Sequence, residues 1–126
     1  MTHKLTYFKL SEFDSPDAPG SGSNMDQEFL FMLDKARGIA GVPFKINSGY
    51  RTKAHHERLA KQGYKTAKNS AHLAGYAADI HCTDGPQRYA IVAALMAAGF
   101  NRIGIAGTFI HVDNDPGKPE DTIWVY

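Results

Sequence analysis

The chain has one cysteine, Cys82, and one tryptophan among its 126 residues. A lone thiol cannot close an intrachain disulfide, so a packed core must hold the fold, and nothing marks an oxidising compartment. Charge of one sign is also lacking: 14 Lys and Arg against 13 Asp and Glu leave a formal net charge of +1. That argues against the clustered basic surface required by duplex nucleic acid, and no nucleic-acid partner is expected. No apolar run approaches the roughly 18 residues of a membrane span, so no membrane partner is expected either. Residues Met1 to Phe8 are polar and carry no apolar secretory segment, which predicts synthesis in the cytoplasm without a signal peptide. The sequence contains no internal repeat and no low-complexity tract.

What is present suits one globular domain spanning residues 1–126. Hydrophobic residues make up 43% of the chain, enough for a core at this length. The segment from Asp14 to Asn24 is dense in Pro, Gly and Ser and reads as a long loop. Asn24, with Gln27 three residues on, has the spacing of a capping box. Met25, Phe29, Leu33, Ala36 and Ala40 then recur at helical intervals, and Gly38 to Gly41 should end that helix. Phe44 to Ser48 predicts a short strand. Thr52 caps a helix over Lys53 to Lys61, ended by Gly63. Tyr76 to Cys82 predicts a strand. Asp84-Gly-Pro86 opens a helix running to Ala98, so apolar (Tyr89, Ile91, Val92, Leu95, Met96) that burial on most sides is expected. Strands are predicted at Arg102 to Ile105, Thr108 to Asp113 and Thr122 to Tyr126. This mixture predicts an α+β fold with a small antiparallel sheet flanked by helices.

Three segments carry chemistry: Ser48-Gly-Tyr-Arg51, Ser70-Ala-His-Leu-Ala-Gly-Tyr-Ala-Ala-Asp79, and Phe109-Ile-His-Val-Asp113. His72, Asp79 and His111 are two imidazoles and a carboxylate, a normal ligand set for a catalytic zinc that keeps a fourth position open. Such an ion lowers the pKa of a water toward 7 and polarises a carbonyl. Asp79 and His111 each sit in an apolar strand, where a carboxylate must be paired or bound to metal. Position alone leaves a structural role and a ligand role as equal readings.

Ser70-x-His72-x-x-Gly75-x-Ala77-x-Asp79, followed at a distance by His111, resembles the zinc-binding pattern of the M15 peptidases. That family includes D-alanyl-D-alanine carboxypeptidases and phage endolysins and shares its fold with the Hedgehog signalling domain. Ser48-Gly-Tyr-Arg51 is similar to the family's substrate-side motif. The opening Tyr7 to Phe13 and the ending Ile123-Trp-Val-Tyr126 resemble phage-type members. The resemblance implies a Hedgehog-like fold, one Zn2+ ion held by His72, Asp79 and His111, and a monomeric hydrolase acting on peptidoglycan peptides in the cell wall. The bond would be a D,D link or L-Ala–D-Glu. Arg51 would bind a substrate carboxylate or stabilise the oxyanion, a task for a fixed fork of donors. Ser70 would hydrogen-bond substrate or a ligand, or only cap its loop.

The sequence departs from the family where the general base is expected. Many members carry Glu or Asp three residues before the last His, or His two before it. Here those places hold Thr108 and Phe109, neither of which takes a proton from water. Asp113 is the natural substitute, since it shares a strand face with His111; orienting a ligand histidine is the equal alternative. His81 reads as solvent-facing, His55 and His56 as surface residues of a polar helix, and His3 as disordered. Cys82 reads as buried packing, not a nucleophile.

Overall fold

A computed structural model describes residues 5–64 and 70–126; His3 lies outside the described residues. The fold is α+β. Helix α1 spans Gln27–Ala40, α2 Lys53–Lys61 and α3 Gly85–Ala97. The strands are β1 (Ile46–Ser48), β2 (Ala77–His81), β3 (Arg102–Ile105), β4 (Phe109–Asp113) and β5 (Thr122–Val125). They form one sheet in the order β1-β2-β4-β3-β5. The first four strands pair antiparallel, as expected, but β5 runs parallel to β3. The residues between β4 and β5 return the chain to the start of β3, so Thr122 pairs beside Arg102 and not beside Ile105.

Strand alternation gives the sheet two unlike faces. Ala78 and Ile80 of β2, the following Cys82, Ile103 of β3, and Ile110 and Val112 of β4 are buried in one apolar core. Phe29, Leu30, Leu33 and Ala36 of α1, with Ile91, Ala94 and Leu95 of α3, pack in the same core. The opposite face carries Asp79 and His81 from β2 and Phe109, His111 and Asp113 from β4. The polar residues noticed inside apolar runs are therefore the alternate positions of half-covered strands.

Two sequence expectations are corrected. The first helix is capped by Asp26, whose carboxylate accepts from Phe29 N–H at 2.9 Å. Asn24 belongs to a preceding 3-10 turn, Ser21–Asn24, so the helix starts two residues later than the capping-box spacing suggests. Helix α3 is covered on one side only: Ile91, Ala94 and Leu95 are buried, whereas Tyr89 is 79% and Met96 54% exposed. A helix lying on one sheet face has a single apolar stripe to bury, whatever the composition of its outer side.

The loop before α1 is ordered by local bonds. Asp14 accepts from Gly20 and Gly22 N–H, and Ser21 Oγ accepts from Ser15 N–H at 2.8 Å. Gly75 joins this region to the site. Its φ is +80°, and a Cβ there would stand 2.5 Å from the Asn24 carbonyl oxygen. Its own carbonyl accepts from Asp26 N–H at 2.9 Å. Gly75→Ala should therefore cost about 1–3 kcal/mol for the left-handed backbone, plus the contact with Asn24. Thermal unfolding should show a lowered Tm; an unchanged Tm would mean that the turn relaxes freely.

Candidate metal centre

Antiparallel pairing sets Asp79 directly opposite His111 on the open sheet face. His72 arrives from a 3-10 turn, Ala71–Ala74, immediately before β2. Ser70 caps that turn, its Oγ accepting from His72 N–H at 3.2 Å. The Ser48–Arg51 segment clasps the same turn: Gly49 carbonyl faces His72 Nδ1 at 2.8 Å, and Arg51 N–H donates to His72 carbonyl at 3.1 Å. With Nδ1 donating to Gly49, His72 Nε2 is the free lone pair, and it lies 3.4 Å from Asp79 Oδ2.

His111 is fixed in the complementary way. Its Nε2 meets Asp113 Oδ2 at 2.7 Å, and its Nδ1 meets Asp79 Oδ1 at 2.9 Å. If Nε2–H donates to Asp113, Nδ1 is the nitrogen turned toward Asp79 and His72. One ligand atom from each of His72, Asp79 and His111 lies within 4.8 Å of the others. Three donors of types that bind zinc, two of them imidazoles oriented by bonds to their far nitrogens, fit a divalent metal ion.

Electrostatics agree. Burial raises the Asp79 pKa, but hydrogen bonds and charge from His111 and His72 outweigh it and hold the carboxyl well below its usual range. Burial lowers the His111 pKa, but Asp113 and Asp79 on its two sides outweigh it and raise the value above 6.5. The carboxylates on its two sides thus favour the charged form of the ring.

Asp113 lies on the far side of His111 from Asp79 and is 1% exposed. Its Oδ1 accepts from Arg102 Nε at 2.7 Å and from Asp115 N–H at 3.2 Å, while Oδ2 holds His111. Both oxygens are committed, an arrangement suited to orienting a ligand and poorly suited to taking a proton from water. Arg102 went unnoticed in the sequence. It is buried, donates to Pro119 carbonyl at 2.6 Å, and lies 5.0 Å from the Trp124 ring centroid. The alternation of Arg102-Ile-Gly-Ile105 against Phe109 to Asp113 is the signal that placed it on this face.

A cleft of about 370 Å³ surrounds the cluster, lined by Arg51, Ser70, Phe109, Lys118, Trp124 and Tyr126 among others. Arg51 reaches Ser48 Oγ and His56 Nδ1, each at 3.2 Å, and its buried Nε has no hydrogen-bond partner among the described residues. Among the described residues no carboxylate lies within ion-pair distance of it; desolvation lowers its pKa, and Asp79 is the chief charge opposing that. A guanidinium stays charged under such conditions, so it presents positive charge to whatever enters. Thr108 is exposed, outside the cleft, and His81 is exposed at the end of β2. His56, expected at the surface, is 8% exposed, and its Nδ1 meets Arg51. Cys82 is buried in the core, its Sγ toward Asp84 carbonyl.

Two outcomes follow. Metal must displace the proton from His111 Nδ1, so apparent zinc affinity should fall as pH is lowered, beginning above 6.5, the ordinary histidine value. Calorimetry in buffers of differing ionisation enthalpy should detect the released proton. Asp113→Asn should weaken zinc binding by about 10- to 100-fold, as loss of a partner to a ligand histidine does. It should also destabilise the protein by about 3 kcal/mol, because Arg102 is left buried without its counter-ion.

Comparison with known proteins gives the family of the chain. No curated protein matches the chain. A family model described as Peptidase M15 matches residues 6–113, a span holding Arg51, Ser70, all three members of the cluster and Asp113. The chain therefore belongs to the M15 peptidase family and is of the metallopeptidase type.

Proposed function

We propose that this protein is a zinc-dependent peptidase that cleaves stem or cross-link peptides of bacterial peptidoglycan, acting as a monomer and originating from a phage or prophage. The observation that carries the reading is the convergence of His72, Asp79 and His111 beside Arg51, which has no carboxylate partner among the described residues. A zinc ion held there supplies a Lewis acid for the scissile carbonyl and makes water a nucleophile near neutral pH. The residues supply the rest. His72 and His111 hold their coordinating nitrogens in place through Gly49 and Asp113. Arg51 binds a substrate carboxylate or the oxyanion with donors that need no reorganisation. Ser70, already accepting from His72 N–H, keeps its own proton to donate to a substrate backbone. Asp113 serves as the orienting partner, the alternative favoured by its full set of bonds.

The absence of an acid at Thr108 favours a second reading, a zinc-containing module of the same fold that binds peptidoglycan or a protein without turnover. Mass spectrometry of fragments released from purified peptidoglycan separates the two. New amine and carboxyl ends should appear with wild-type protein and fall to background with His72→Ala or after chelation. No release by folded, zinc-loaded wild type across several wall chemotypes would establish the binding module. Arg51→Met should keep its zinc and lose on the order of 10²-fold in kcat/KM, read from the same digests.

A further inference from the structure

Strand β5 lies beyond the span matched by the family model, yet it forms one wall of the cleft. Register explains how. Gly104 of β3 pairs with His111 on one side and with Trp124 on the other. Asp79, His111, Gly104 and Trp124 thus form one row across the open face. Gly104 is the gap in that row: a Cβ there would stand 2.5 Å from Trp124 Nε1 and 2.9 Å from Tyr126 Cε2. Without one, both rings lean over β3 toward the metal ligands. Trp124 lies 5.5 Å from the His111 ring, and Tyr126 5.2 Å from the Phe109 ring, centroid to centroid.

Tyr126 lies partly in the cleft. Its residue is 66% exposed, yet burial raises the pKa of its hydroxyl, and the Asp79 and Asp113 charges raise it further. The Trp124 indole nitrogen and the Tyr126 ring close over the same bare Gly104 position. A neutral phenol carries an O–H that it can donate. Tyr126 and Arg51 both line the cleft around the cluster.

We infer that Tyr126 is a catalytic residue of this site, its hydroxyl donating a hydrogen bond to the developing oxyanion of the attacked peptide carbonyl, with Trp124 and the bare Gly104 position as the devices that aim it. The inference rests on the peptidase reading above. It involves no covalent step: the tyrosine keeps its proton, and the bond strengthens as charge accumulates on the carbonyl oxygen. Trp124 acts through Tyr126 and is a positioning residue.

The test uses zinc-loaded protein, a soluble muropeptide that the wild type cuts, and the phosphinate isostere of the bond cut. Tyr126→Phe removes one oxygen and keeps the ring against Phe109. It should lower kcat on the order of 10²-fold with KM and zinc content unchanged. Calorimetry should show phosphinate affinity reduced by the same factor and affinity for the cleaved product unaltered. Gly104→Ala should reproduce the loss of phosphinate affinity by displacing the hydroxyl. A Tyr126→Phe protein with wild-type kcat and phosphinate affinity overturns the inference, and so does a variant whose loss lies wholly in KM, which would make the residue a binding wall. Absence of any turnover by wild type is a separate result: it overturns the peptidase reading, and the inference with it.

Discussion

The pairing of β2 with β4 is the constraint on which the rest of the site depends. It places Asp79 and His111 side by side, with their neighbours Ile80, Val112 and Ile110 committed to the core behind them. A carboxylate and an imidazole fixed by ladder hydrogen bonds and by a close-packed layer cannot drift apart by side-chain motion alone. His72, on an irregular turn, has no ladder to hold it. Its position comes from the two bonds to the Gly49–Arg51 segment and from Gly75 against Asn24. Arg51 and His72 are therefore held by the same clasp.

Behind the ligands runs a second set of interactions. Arg102, Asp113 and His111 form a buried chain of charge-assisted bonds, and Arg102 also touches the loop at Pro119 and the face of Trp124. Such a chain costs desolvation, and its net contribution to stability is small. Its value lies in direction. It fixes which imidazole nitrogen faces the cleft, and it ties the ligand strand to the aromatic wall beyond β3.

Much of this was legible in the sequence because strands encode two faces in alternate letters. Asp79 in Tyr76 to Ile80, and His111 and Asp113 around Val112, stood out as polar residues where apolar neighbours demand a core. What stayed hidden depends on contacts between distant segments. Nothing near Thr122 announces that β5 runs parallel to β3, so Trp124 and Tyr126 carried no visible link to the ligands. Arg102 reads as the ordinary start of a strand until Asp113 is seen beside it. His56 sits in a polar helix, and its contact with Arg51 joins segments that the sequence does not show to be neighbours. Asp26 and Asn24 are both good caps, and the 3-10 turn over Ser21–Asn24 chose between them.

The two-faced sheet also divides the chain's evolutionary freedom. On β4, Ile110 and Val112 answer to the core, while Phe109, His111 and Asp113 answer to the cleft; β2 is split in the same way. Substitutions at the core parity act on folding alone, whereas those at the cleft parity act on the cluster and, at Asp113, on folding as well through its buried bonds to Arg102 and His111. Strand β5 is freer still, since Ile123 and Val125 are largely exposed, and Trp124 and the following Tyr126 are the residues turned to the cleft. A lineage could therefore exchange this edge strand to suit a new substrate while leaving the ligand-bearing pair at the centre of the sheet untouched.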